Sequence, residues 1–306
     1  MLTRLILDDF KSFRHAELEL SRLTLLVGAN ASGKSNVFDA LRFLQGLGLG
    51  MAIVDILNGR WEGGRELWPG IRGGPNDVAR HGTQEFAVAA HWASGDRSDT
   101  YSLRCNPKHG LTQQSGMLPA AFRSTFFLDL NPRRMRDYVP KSSTQLGSEG
   151  QNLSAAVWQL CQAEGRKQDL LDWMSELCAP ALSDIDFVET ELGDVMLVLV
   201  EKDGARISAR SLSDGTLRFL GELTALLTAP RGSLILVEEI ENGLHPARIH
   251  LLVELLTGIT AERDVQILAT THSPAVLGAL ADADPELAKA ALVFGRTPEE
   301  LSLIHI

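Results

Sequence analysis

Residues 28 to 35 read Gly-Ala-Asn-Ala-Ser-Gly-Lys-Ser and satisfy every fixed position of the pattern G-x-x-x-x-G-K-[ST]. That spacing serves triphosphate chemistry. Gly28 and Gly33 let the backbone wrap round phosphate oxygens, and the N–H groups through Asn30, Ala31, Ser32 and Asn36 are expected to face the anion. Lys34 is expected to reach the terminal phosphates of ATP, and the Ser35 hydroxyl to ligate Mg2+.

Three further segments carry groups suited to the same reaction. Leu234-Ile-Leu-Val237 is a run of four apolar residues that ends in Glu238 and Glu239. Read as a buried parallel strand, it presents both acids at its carboxyl end, where open α/β sheets bind ligands. Adjacent strand residues point to opposite faces, so the pattern predicts one acid holding magnesium through water and the other polarising the attacking water. Val265-Gln-Ile-Leu-Ala-Thr-Thr271 is a second apolar strand that delivers His272, a hydrogen-bond donor for a γ-phosphate. Ser273 and Pro274 then suit the cap and first turn of a helix. Ser213-Asp-Gly215 opens another helix, whose inward side would carry Leu217, Leu220, Leu223 and Leu227.

The elements that must position these groups are legible in outline. A strand over 23–27 feeds the glycine-rich loop, and Val37, Leu41 and Leu44 mark the helix that follows. Leu5 to Leu7 and Ala16 to Leu20 read as strands flanking Phe10-Lys-Ser-Phe13. The Gly-rich stretch 46–74, with Trp61 and Trp68, reads as an irregular excursion anchored by its aromatic side chains. Residues 84–104 predict a hairpin turning at Ser94-Gly-Asp96, Phe126 to Leu130 a strand, and 151–164 and 166–178 helices. Val195 to Val200 turns at Lys202-Asp-Gly204 and returns through Ala209.

Composition limits the remaining possibilities. The chain has 306 residues, 44% hydrophobic, enough to bury a large core; we read one domain over 1–306 with a variable region, 46–180, that includes a helical subdomain at about 150–180. No run approaches the roughly 18 apolar residues of a membrane span, and Asp8 and Asp9 interrupt any leader-like start, so a cytoplasmic location is expected. Cys105, Cys161 and Cys178 are widely spaced, as structural thiols would be. A net charge of −10 argues against nucleic-acid binding through charge alone. The basic run Asn131 to Arg136, with Lys141, reads as a solvated loop or as a phosphate or partner contact. The end, Leu301-Ser-Leu-Ile-His-Ile306, resembles translated adapter sequence and is read as non-native.

The order phosphate loop, Ser-Asp-Gly-Thr, Glu-Glu strand and His resembles the ABC-type ATPases, specifically the soluble branch of RecF, the SMC proteins and OLD-like bacterial ATPases of phage-defence or abortive-infection type. The resemblance covers the first 45 residues and about 205–285. It implies a P-loop NTPase of ABC-ATPase type: an α/β fold with a mostly parallel sheet flanked by helices, an N-terminal antiparallel strand region and an inserted helical subdomain. Ser213, Asp214 and Gly215 then stand at the signature that closes over ATP on a second protomer. Glu239 matches the hydrolytic glutamate, Glu238 the magnesium-associated acid, residues 241–245 the loop crossing the dimer interface, and His272 the switch histidine. Lys11 in Phe10-Lys-Ser-Phe13 lies in a segment that borders the nucleotide. Two positions depart from the pattern: Glu238 replaces an aspartate, and Asp214 a glycine of the transporter-type signature. Gln84, Gln113 and Gln114 are equivalent candidates for the family's glutamine.

Three functions fit that resemblance. One is an ATPase whose ATP-bound homodimer switches a separate effector protein. Another is a DNA-repair or chromosome-maintenance ATPase, and the third a transporter's nucleotide-binding subunit. No heptad repeat long enough for an SMC arm lies between Leu44 and Ser211, and no residue cluster outside the ATP site points to a nuclease.

Overall fold

Buried residues alternate along Phe86–Ser94 and from Tyr101 to Cys105 of Arg97–Asn106, and Leu2–Phe10, which lies between Phe86–Ser94 and Phe13–Glu19, buries Leu2, Leu5, Leu7 and Phe10. These strands belong to a computed structural model that describes residues 1–95, 97–143, 145–163, 165–177, 181–285, 288, 291–296 and 301–305. The chain divides into two compact units. The first comprises Met1–Thr125, Arg231–Glu239 and Arg263–Ile306, the second Phe126–Pro230 and Ile240–Glu262.

Among the described residues, the first unit holds two large sheets and a small hairpin. One is antiparallel, in the order Phe13–Glu19, Leu2–Phe10, Phe86–Ser94, Arg97–Asn106, Gly110–Ser115. In the other, Leu292–Arg296, Leu23–Gly28, Gln266–Thr271 and Leu234–Val237 run parallel, and Leu301–His305 pairs antiparallel at one edge. The three central strands are buried over Leu23 to Leu26, Gln266–Thr271 and Leu234–Val237, as near-continuous apolar runs require. Gln266 ties the sheets together: its buried amide donates to the Leu2 and Ser21 carbonyls and accepts from the Leu2 N–H. Phe10 and Phe13 are fully buried, Phe10 edge-on to Phe86 at 5.3 Å between centroids.

The stretch 46–74 is more regular than its glycines predict. It forms a helix at Ile53–Asn58 and a small hairpin, Arg60–Glu62 with Arg65–Trp68. Trp68 does anchor it, buried and donating its indole N–H to the Ile56 carbonyl at 3.2 Å; Trp61 does not, being 65% exposed.

In the second unit, Asp194–Glu201 pairs with Leu182–Glu189, Val139–Pro140 and Arg206–Ser208. The Arg206 strand returns through the expected turn, with Gly204 at φ +88°. Helices Leu153–Gln162, Arg166–Leu177, Asp214–Thr228 and Ile249–Glu262 complete the unit. The buried Ser154 hydroxyl accepts the Leu197 N–H, fixing the first of these helices to the sheet. Cys178 lies outside the described residues. Burial pushes the Cys105 and Cys161 thiols up to about 11, so both stay protonated and inert.

Candidate nucleotide-binding site

The strand Leu23–Gly28 ends in the glycine-rich loop and the helix Lys34–Gly48 begins at its last lysine. Gly33 sits at φ +95°, where L side chains are strained. A Cβ on Gly28 would lie 2.5 Å from the Phe294 carbonyl oxygen and 2.8 Å from Ser32 Oγ, so only glycine fits there. Lys34 Nζ donates to the carbonyls of Gly28 at 2.5 Å and Ala29 at 2.8 Å, holding its charge within the loop. Ser32 Oγ is buried and makes no hydrogen bond among the described residues. A loop with a cation and an unsatisfied buried hydroxyl suits a phosphate anion.

The parallel register aligns the other groups with this loop. Val27 is paired with Thr271, and Val237 with Ala269, so Gly28, His272 and Glu238 leave three adjacent strands at the same carboxyl edge. Beyond Val237 the backbone departs from a strand. Glu239 has φ +49°, and its N–H donates to the buried Thr270 hydroxyl at 2.9 Å. The expected strand alternation of Glu238 and Glu239 therefore does not apply; a left-handed bend, fixed by Thr270, orients Glu239 instead. His272 is exposed, and Ser273 holds the helix N-cap position without a side-chain cap bond.

Two residues without a sequence signal join this edge. Arg72 Nη2 donates to the Ser35 carbonyl at 2.7 Å and lies 3.2 Å from Glu238 Oε1, and its Nε is 3.3 Å from both Asp39 carboxylate oxygens. Asp39 is completely buried and also receives Lys11 Nζ at 2.5 Å; Lys11 donates in addition to the Arg72 carbonyl at 2.7 Å. The Lys11 ammonium is thus occupied by Asp39, one turn along the loop's own helix. Asn36 likewise turns its amide to Ser12 Oγ at 2.5 Å. Among the glutamine candidates, Gln113 and Gln114 lie on the edge strand Gly110–Ser115 and Gln84 in an exposed loop.

In the second unit, Ser213 caps the helix Asp214–Thr228 by accepting the Thr216 N–H at 3.1 Å. Asp214 occupies the first helical position, and Gly215 contacts the backbone of Gly243. Arg134 and Arg136 of the basic run, and Lys141 beyond it, are engaged inside the chain. Arg136 donates to the Ala209, Arg210 and Leu212 carbonyls and to the Asp214 carboxylate. Arg134 pairs with Glu149, and Lys141 pairs with Glu189 at 2.5 Å and stacks 4.8 Å over the Trp158 ring.

The residues present suit magnesium in its usual nucleotide role. Among the described residues no cluster of three or more His, Cys, Asp or Glu could hold a metal unaided. Ser35 beside the loop and the 40%-exposed Glu238 carboxylate instead suit an ion held mainly by phosphate and water. Among the described residues no helix is long and apolar enough to cross a membrane.

Solved structures share this architecture. The chain is 14% identical to an SMC head bound to the C-terminal winged-helix domain of ScpA, with TM-score 0.66, covering 100% of this chain and 97% of that one. The SMC head domain from Thermotoga maritima is 16% identical, with TM-score 0.55 and coverage of 100% and 98%. The recombination mediator protein RecF-ATPrS of the RecFOR pathway is 14% identical, with TM-score 0.51 and coverage of 99% and 98%. No curated protein matches the chain. The family described as "AAA domain, putative AbiEii toxin, Type IV TA system" matches residues 23–81 and 127–278. The chain belongs to that family of AAA ATPases, on an ABC-type P-loop fold similar to SMC heads and RecF.

Proposed function

We propose that the protein is a magnesium-dependent ATPase whose ATP-bound homodimer switches a separate effector protein, in a phage-defence or toxin–antitoxin setting. The observation that carries this reading is the convergence of the Gly28–Ser35 loop, Glu238, Glu239 and His272 at the carboxyl edge of three adjacent parallel strands. In this reading the loop amides, the Ser32 hydroxyl and Lys34 bind the triphosphate. Lys34 exchanges its bonds to the Gly28 and Ala29 carbonyls for phosphate oxygens. Glu239 orients and deprotonates the attacking water, and His272 donates a hydrogen bond to the γ-phosphate. Magnesium, when bound by Ser35 and through water by Glu238, neutralises charge on the phosphates. Arg72 bridges Ser35 and Glu238 and so sets the spacing between loop and acid.

Ser213, Asp214 and Gly215 act in trans, offering a helix N-terminus and a hydroxyl to ATP on the partner. The effector role is supported by the family description, which names a toxin of a type IV toxin–antitoxin system, and by the SMC head, which was solved bound to a separate protein. Exposed Trp61 and Val54 mark the part of 46–180 where an effector would read the nucleotide state. The likeness to RecF and SMC heads favours DNA maintenance as the second reading; salt-sensitive DNA binding that changes with ATP would select it.

Subunit mixing tests the shared site. Ser213→Arg and Lys34→Ala chains, each inactive alone, should regain ATPase activity when mixed, because each heterodimer holds one intact site. Heterodimers that form yet stay inactive would refute the trans arrangement.

A further inference from the structure

The N-terminus of the helix Asp214–Thr228 and the turn 241–245 touch through two glycines. A Cβ on Gly215 would stand 2.1 Å from the Gly243 carbonyl oxygen, and one on Gly243, at φ +88°, would stand 2.9 Å from the Gly215 Cα. These two backbones meet in direct contact, which no side chain at either position permits. A second set of groups joins the same two segments. Glu222, about two turns further along the same side of the helix, is buried, and the charges acting on it are Arg218 of its own helix and Glu241 of the turn. Arg218 also borders the glycine contact, its Cδ 3.4 Å from the Cβ position of Gly243.

We infer that Gly215 and Gly243 are positioning residues that join the Ser213–Gly215 helix start and the 241–245 turn into one preformed surface. The contact fixes both segments before any partner arrives, so presenting them together costs no ordering entropy at association. For its functional consequence the inference rests on the proposed ATP-driven dimer: each segment would then face the second protomer only in the geometry set by the other.

Amide hydrogen exchange on the full chain tests the coupling, without nucleotide. The Thr216 N–H bonds to Ser213 Oγ, the Leu217 N–H to the Ser213 carbonyl and the Leu244 N–H to the Glu241 carbonyl. Gly243→Ala should accelerate exchange at Thr216 and Leu217, and Gly215→Ala should accelerate it at Leu244, each by roughly tenfold or more. Acceleration confined to the substituted segment would overturn the inference. Should a variant not fold, the wild type decides: the three amides should open with one common denaturant dependence, and separate dependences refute coupling. In the same preparations, ATP-dependent dimerisation of Gly243→Ala should weaken by roughly tenfold. A wild type that exchanges as described yet never dimerises with ATP would remove the dimer reading and leave the coupling intact.

Discussion

Arg136 Nη2 lies 2.5 Å from the Asp214 Oδ1, while its Nη1 caps the carbonyls of Ala209, Leu212 and, at 2.9 Å, Arg210. One planar guanidinium therefore satisfies the chain that leads into the helix carrying Ser213, and then the first residue of that helix. The five fixed donors of arginine suit this task, and a lysine could not reach four acceptors at once.

Replacing Arg136 with Met should cost about 2 kcal/mol, since carbonyls that now accept charge-assisted bonds would lose their partner. Arg136→Lys should recover little of it. Thermal unfolding should report a fall of roughly 4–8 °C for either variant; an unchanged midpoint would mean that water replaces the guanidinium without cost.

Lys34→Ala should weaken MgATP binding greatly and leave the fold intact, because its ammonium bonds to the Gly28 and Ala29 carbonyls of the phosphate loop itself. Titration calorimetry with an unaltered melting curve would establish this. An unchanged ATP affinity would remove the phosphate role of the loop.

Glu239→Gln should keep ATP bound but slow hydrolysis by about 10² or more, and the ATP-bound dimer should become more stable. Glu238→Gln should instead raise the magnesium concentration needed for turnover, since the neutral amide loses both its pull on the hydrated ion and its ion pair with Arg72. Metal titrations of both variants separate the roles; a Glu239→Gln enzyme with wild-type turnover would reject the assignment of the base.

Local signals made much of this site readable in advance. The glycine pattern gave the loop, four apolar residues gave the strand that leads into Glu238, and Gly204 marked the hairpin that the structure contains. What escaped depends on groups distant along the chain. Arg72 acquires meaning only from Ser35, Asp39 and Glu238, the last of them 166 positions away. Arg136 looked like part of a charge run because its acceptors lie more than 70 residues downstream. The bend at Glu239 was hidden for the same reason, since Thr270 of another strand holds it. The hairpin within 46–74 was masked by glycines that serve its turns: Gly63 and Gly64 have φ +58° and +79°.

The pH dependence of stability should carry the mark of Glu222. Burial raises its carboxyl well above the ordinary value of 4.5, Glu241 pushes the same way, and Arg218 opposes them. In the folded chain this carboxyl keeps a proton that the unfolded chain releases near 4.5. Its contribution is therefore complete below that value, and stability declines as pH rises from there toward the folded-state value, where the native group also ionises. Glu222→Gln mimics the protonated form and cannot ionise, so the variant should lose less stability between about pH 5 and about pH 8 than the wild type. Urea unfolding across that range measures the two slopes. Parallel slopes would show that Glu222 is already ionised in the folded protein, its charge stabilised by Arg218.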